Sequence, residues 1–142
     1  LGGFSLGART SVRAVVAGMK PRRLILGGMG LAGLAGWQRR GQFFKRVIAE
    51  YEVDVVFHLA AQTQVSVAAA APAGTIEANV RGTASVLEAC RQQQVGRLVV
   101  VSTDKVYGDG PAPYSEEQPI LPHGIYATSK AAADFLAQER ED

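Results

Sequence analysis

Cysteine is almost missing from this chain. Cys90 is the only one, so no disulfide can close within the chain, and a reducing, cytoplasmic setting is expected. Charge of one sign is missing too. The 15 Lys and Arg face 13 Asp and Glu, for a net charge of +2. So even a balance argues against a nucleic-acid partner or an anionic membrane surface. No apolar run approaches the ~20 residues of a membrane span, and no secretory leader stands out. No spacing of His, Cys, Asp or Glu reads as a metal site. Internal repeats are absent as well. What remains is a globular class, with 47% hydrophobic and 20% charged residues over 142 positions, enough for one domain with a core. The chain opens on Leu1 rather than Met, which reads as a fragment or a processed product. Arg9, Arg13, Lys20, Arg22 and Arg23 make that end locally basic, and they read as a solvated or disordered stretch rather than a binding arm.

Apolar segments of two kinds alternate along the rest of the chain. "QFFKRVIAEY", 42–51, predicts an amphipathic helix with Phe43, Val47 and Ile48 on one face. "VDVVFHLAA", 53–61, and "GRLVVVS", 96–102, are near-continuous β-branched runs, the pattern of strands buried on both faces of a parallel sheet. Between them, 75–94 predicts a helix with Ile76, Val80, Ala84 and Leu87 inward. Cys90 lies at helical spacing from Val86 and reads as core. Gly82 inside that helix costs ~1 kcal/mol against Ala and leaves room for close packing. Gly and Pro residues make 108–122 a loop. A third helix follows at 126–142. Strands alternating with helices predict an α/β fold, a Rossmann-like parallel sheet with flanking helices.

Ligands of such sheets bind beyond the carboxyl ends of the strands. Both strong strands end in polar groups there. One runs into His58, Leu59, Ala60, Ala61 and Gln62, the other into Ser102, Thr103, Asp104 and Lys105. Tyr126 and Lys130 form Y-x-x-x-K, and on a helix those positions share a face. An ammonium beside a phenol favours the phenolate, which a tyrosine base needs because its ordinary pKa is about 10. Many Tyr/Lys pairs at this spacing are surface decoration, but this one follows a hydroxyl-bearing strand end across a Gly/Pro loop.

"VDVVFHLAAQ", "EANVRGT", "RLVVVSTDKVYG" and "YATSK", in that order, resemble the extended short-chain dehydrogenases/reductases of the NAD-dependent sugar-nucleotide epimerase/dehydratase family. The resemblance covers about residues 42–140 and implies NAD as cofactor, with NADP not distinguished, and a nucleotide-sugar substrate. It implies that Leu59, Ala60, Ala61, Asn79, Ser102, Tyr126 and Lys130 line the dinucleotide, Asn79 also steadying the central helix against the strand. Thr103 would hydrogen-bond the sugar 4-hydroxyl, Tyr126 would take its proton, and Lys130 would hold the nicotinamide ribose and tune Tyr126. "TDK" is similar to the triplet of 4,6-dehydratases, with Asp104 as acid toward C6, if burial keeps it protonated, and Lys105 as base toward C5, if desolvation lowers its pKa. The alternatives are a 4-epimerase and a non-catalytic dinucleotide-binding fragment, with Asp104 capping a turn and Lys105 in solvent. His58 is expected to be structural. Thr63 and Ser66 lie in a segment expected to face substrate, with no role assigned. Helices at 79–94 and 126–140 carry small residues and imply a homodimer.

The N-terminal part departs from this pattern. Gly27, Gly30 and Gly33 have the spacing of a phosphate-binding loop. Yet Ala60 follows too soon for the further strand–helix units that family members place between. Either the fold is abbreviated, or residues 1–41 are an atypical segment outside the family, which the spacing favours. On that reading 42–142 is a partial epimerase/dehydratase domain, truncated at both ends, and the chain binds a dinucleotide weakly and does not turn over substrate.

Overall fold

The computed structural model describes residues 23–27 and 34–139. Its elements are β1 (Arg23–Gly27), α1 (Leu34–Glu50), β2 (Val55–Leu59), α2 (Val65–Ala70), α3 (Pro72–Ile76), a π-helical turn (Glu77–Arg81), α4 (Gly82–Gln92), β3 (Arg97–Val100), a 3-10 turn (Asp104–Tyr107) and α5 (Gly124–Gln138). The three strands are parallel in the order β1-β2-β3. Each strand therefore pairs with the next in the chain. Right-handed crossovers in one direction put their helices on one face of the sheet, and α1 packs against α4 there.

That face holds the core. Phe44, Val47 and Ile48 of α1 meet Val56 of β2, Ala60, and Val86, Ala89 and Cys90 of α4. On the opposite face, among the described residues, Leu59, Val99 and Val101 are exposed and Val55 and Phe57 are half-buried, so β2 and β3 are not buried on both faces as their β-branched runs predict. A groove of about 480 Å³ lies by β3, lined by Leu87, Val95, Leu98, Val100, Asp134 and Ala137 among others.

Several boundaries differ from the sequence pattern. The first helix begins at Leu34, not 42, so it runs unbroken across residue 41. Phe44, one residue on from the expected Phe43, is the buried aromatic, and Phe43 packs at the margin. The helix expected at 75–94 starts at Pro72, which suits a first helical position because its missing N–H has no partner to lose there. The π-helical turn then gives its buried face a different set of residues. Ile76 and Ala84 are exposed, while Thr75, Asn79 and Thr83 are buried. Gly27 closes β1; Gly30 and Gly33 lie outside the described residues.

Among the described residues, no helix is long and apolar enough to cross a membrane. No group of three or more His, Cys, Asp or Glu among them could hold a metal ion.

Candidate active site

Parallel pairing brings the strand ends to one edge. Gly27 stands opposite Leu59, and the Val101 N–H donates to His58 O at 3.1 Å. Leu59, Ala60, Ala61 and Gln62 thus lie beside Ser102, Thr103, Asp104 and Lys105. Behind them runs α5, tied to the strand ends by side chains. Lys130 is only 7% exposed, and its ammonium donates to Val101 O at 2.5 Å. Ser102 Oγ donates to Asp134 Oδ2 at 3.2 Å. Burial pushes the Lys130 pKa down, and the Asp134 carboxylate opposes that shift.

Asn79 is the second tie. It stands in the π-helical turn, whose wider closure is marked by the Gly82 N–H bonding Glu77 O; such turns are frequent at functional sites. Its Oδ1 accepts from the Gln62 N–H at 2.7 Å. Its Nδ2 donates to Gln62 O at 3.0 Å and to Ser129 Oγ at 2.9 Å. Ser129 Oγ in turn donates to Tyr126 O at 2.8 Å. One amide side chain therefore clamps the loop after β2 to the helix that carries Tyr126 and Lys130.

Thr103 caps the 3-10 turn, its Oγ1 accepting from the Lys105 N–H at 3.3 Å and donating to Asp104 Oδ1 at 3.1 Å. Thr103 and Tyr126 are half-buried. Asp104 and Lys105 are exposed, so the burial expected of them is not found among the described residues. The loop beyond is fixed by Tyr114, which stacks on Tyr107 with ring centroids 5.6 Å apart. Its hydroxyl lies 3.2 Å from Gly108 O and 3.0 Å from Gly110 O. His58 is buried and bonded to Thr83; burial, aided by the nearby Lys130 charge, holds its pKa down at about 4.

The sequence reading named Tyr126 and Lys130, placed Gln62 in the strand-end segment and took Asn79 from the family resemblance, but it did not point to Thr83 or Ser129. The available signals were the i,i+4 spacing of Asn79 and Thr83 and the adjacency of Ser129 to Lys130. The edge suits a dinucleotide. Ala61 is small and half-buried at this edge, whereas Ala60, expected to line the dinucleotide, is buried in the core; an ammonium carries three N–H donors, of which Val101 O takes one.

Comparison with known proteins bears on what this edge is. The family model for GDP-mannose 4,6 dehydratase matches residues 39–141. The chain belongs to that family. The chain is thus a fragment of the NAD-dependent epimerase/dehydratase family, and its Rossmann-like fold agrees. A dTDP-glucose 4,6-dehydratase from Mycolicibacterium smegmatis is 46% identical over 91 residues, covering 61% of this family member and 27% of the relative. The dTDP-glucose 4,6-dehydratase DesIV from Streptomyces venezuelae, solved with NAD, superposes with a TM-score of 0.72 at 29% identity, over 97% of this chain and 49% of that one. A UDP-glucose 4-epimerase from Thermus thermophilus, also solved with NAD, gives a TM-score of 0.66 at 35% identity, over 70% and 33%. The first curated relatives are matched over only 25% to 27% of their length.

Proposed function

We propose that this chain carries the catalytic core of an NAD-dependent sugar-nucleotide 4,6-dehydratase. The observation that carries the reading is the buried Lys130, anchored on Val101 O one helical turn after Tyr126, beside a strand end bearing Thr103, Asp104 and Lys105. Thr103 holds the sugar 4-hydroxyl, and Tyr126 takes its proton. The Lys130 charge favours the phenolate and its free donors hold the nicotinamide ribose. A bound nicotinamide supplies a hydride acceptor and, afterwards, a hydride donor. With C4 a ketone, the C5 proton is acidic, and Lys105 removes it. Asp104 protonates the C6 hydroxyl, which leaves as water. A substrate seated over Asp104 and Lys105 provides the desolvation that the described residues do not.

A 4-epimerase needs only Thr103, Tyr126 and Lys130, and the likeness to the Thermus enzyme supports that second reading. Asp104 and Lys105 favour the first. Self-association through the helices at 79–94 and 126–140 is supported by Phe135 and Leu136, which stand exposed on α5. The lone buried cysteine suits a reducing cytoplasm.

Titration calorimetry with NAD+ tests the reading on the 142-residue chain and on Lys130→Ala, with NADP+ in parallel to separate the two dinucleotides. Saturable binding that is lost in the variant is the expected result, and incubation with dTDP-glucose then reads whether this partial domain also forms a 4-keto-6-deoxy sugar. Absence of dinucleotide binding in the parent chain would overturn the proposal.

A further inference from the structure

His58 lies within β2 on the face that α4 covers, and it is only 3% exposed. Its Nε2 stands 3.0 Å from Thr83 Oγ1. The Thr83 hydroxyl also donates to Asn79 O at 2.6 Å. A hydroxyl has one hydrogen, and a carbonyl oxygen can only accept it. At His58 the Thr83 oxygen must therefore accept, so Nε2 carries the imidazole hydrogen. Nδ1 is left as an acceptor, buried and without a hydrogen-bond partner among the described residues. An unpaired buried acceptor is costly, so holding the ring in this place has to serve something else.

What it serves is visible along the chain of bonds. Thr83 is gripped from the sheet by His58 and grips the backbone of Asn79 in turn. Asn79 holds Gln62 on one side and Ser129 on the other, and Ser129 holds the Tyr126 carbonyl. We propose that Thr83, braced by His58, is a positioning residue: it fixes the π-helical turn so that Asn79 sets the helix of Tyr126 and Lys130 against the strand ends. This rests on the Tyr126/Lys130 reading for its purpose, but the relay is observable without any cofactor.

Thr83→Val keeps the shape and removes the hydroxyl, whereas Thr83→Ser keeps the hydroxyl and removes the methyl. Both are made in the 142-residue chain and compared by amide hydrogen exchange and nitrogen-15 NMR. In Thr83→Val the Gln62 N–H should exchange about five- to tenfold faster, and the Lys130 Nζ resonance should move. The Val101 N–H, bonded to His58 O in the sheet, should keep its protection. Thr83→Ser should restore both Gln62 and Lys130. Equal loss at Gln62 and Val101 would mean plain destabilisation and would overturn the proposal. No change at Gln62, or a serine variant that behaves like valine, would overturn it too. Should Thr83→Val fail to fold, Ser129→Ala cuts the next link, and an unmoved Lys130 resonance there refutes the relay. A chain that binds no NAD+ would sink the dehydratase reading and leave these exchange results standing.

Discussion

Replacing His58 with Gln should flatten the dependence of stability on pH. In the parent chain the imidazole is buried, and burial, with the Lys130 charge, holds its pKa at about 4 against an ordinary 6.5. Between those values the unfolded chain carries a proton on this ring and the folded chain does not. The unfolded state binds more protons there, so stability rises with pH across the window. The contribution is present in full above the unfolded value, is lost as pH falls toward the folded value, and changes no further below it. At ~1.4 kcal/mol per pH unit the whole loss is about 3 kcal/mol, against the ~5–15 kcal/mol that a domain commands. His58→Gln keeps an N–H donor for Thr83 Oγ1 and cannot titrate. Urea unfolding followed by circular dichroism, from about pH 7 to about pH 4.5, compares the two proteins. The carboxylates titrate alike in both, so the difference isolates the imidazole. The parent should lose about 2 kcal/mol more than the variant over that range. Parallel pH profiles would refute the reasoning, since they would mean that His58 takes up its proton as easily folded as unfolded.

Two further outcomes are expected. Asn79→Ala removes three buried or part-buried hydrogen bonds, and at ~1 kcal/mol each it should lower unfolding free energy by about 3 kcal/mol in urea. Gly108 sits at φ 83°, and a Cβ there would stand 2.7 Å from Leu121 O, so Gly108→Ala should cost about 1–3 kcal/mol and make the 108–122 loop more sensitive to limited proteolysis.

The parts of the fold that were legible in the sequence are those where one physical pattern acts alone. The β-branched runs around Val56 and Val99 were legible as strands, but not their place, since among the described residues β2 is buried on one face and β3 stands at the sheet edge; α5 follows from helical spacing after a Gly/Pro loop. Tyr126 and Lys130 were legible because i and i+4 must share a helical face. The start of α1 was not, since Gly36 and Gly41 interrupt the apolar rhythm that α1 nonetheless continues. Adjacent Phe43 and Phe44 left the phase of that helix open, and packing chose Phe44. The π-helical turn shifts the inward face of the next helix, which is why polar Asn79 and Thr83 are buried where Ile76 and Ala84 were expected. Nothing in the residue types signals a π turn, and hydrophobic periodicity misreads a helix whose buried face is held by hydrogen bonds. The exposure of Asp104 and Lys105 was equally hidden, because residue type does not say whether anything covers a side chain.

The order β1-β2-β3 has a consequence for biosynthesis. Parallel sheets commonly require strands distant in the chain to find one another, which slows folding. Here each strand docks on the one made just before it. A ribosome releasing this chain from its N-terminus delivers β2 to a waiting β1, with α1 already made to cover the pair, and then β3 to a waiting β2. Among the described strands, the sheet can grow one crossover at a time as it is synthesised, each new strand finding its earlier partner already made.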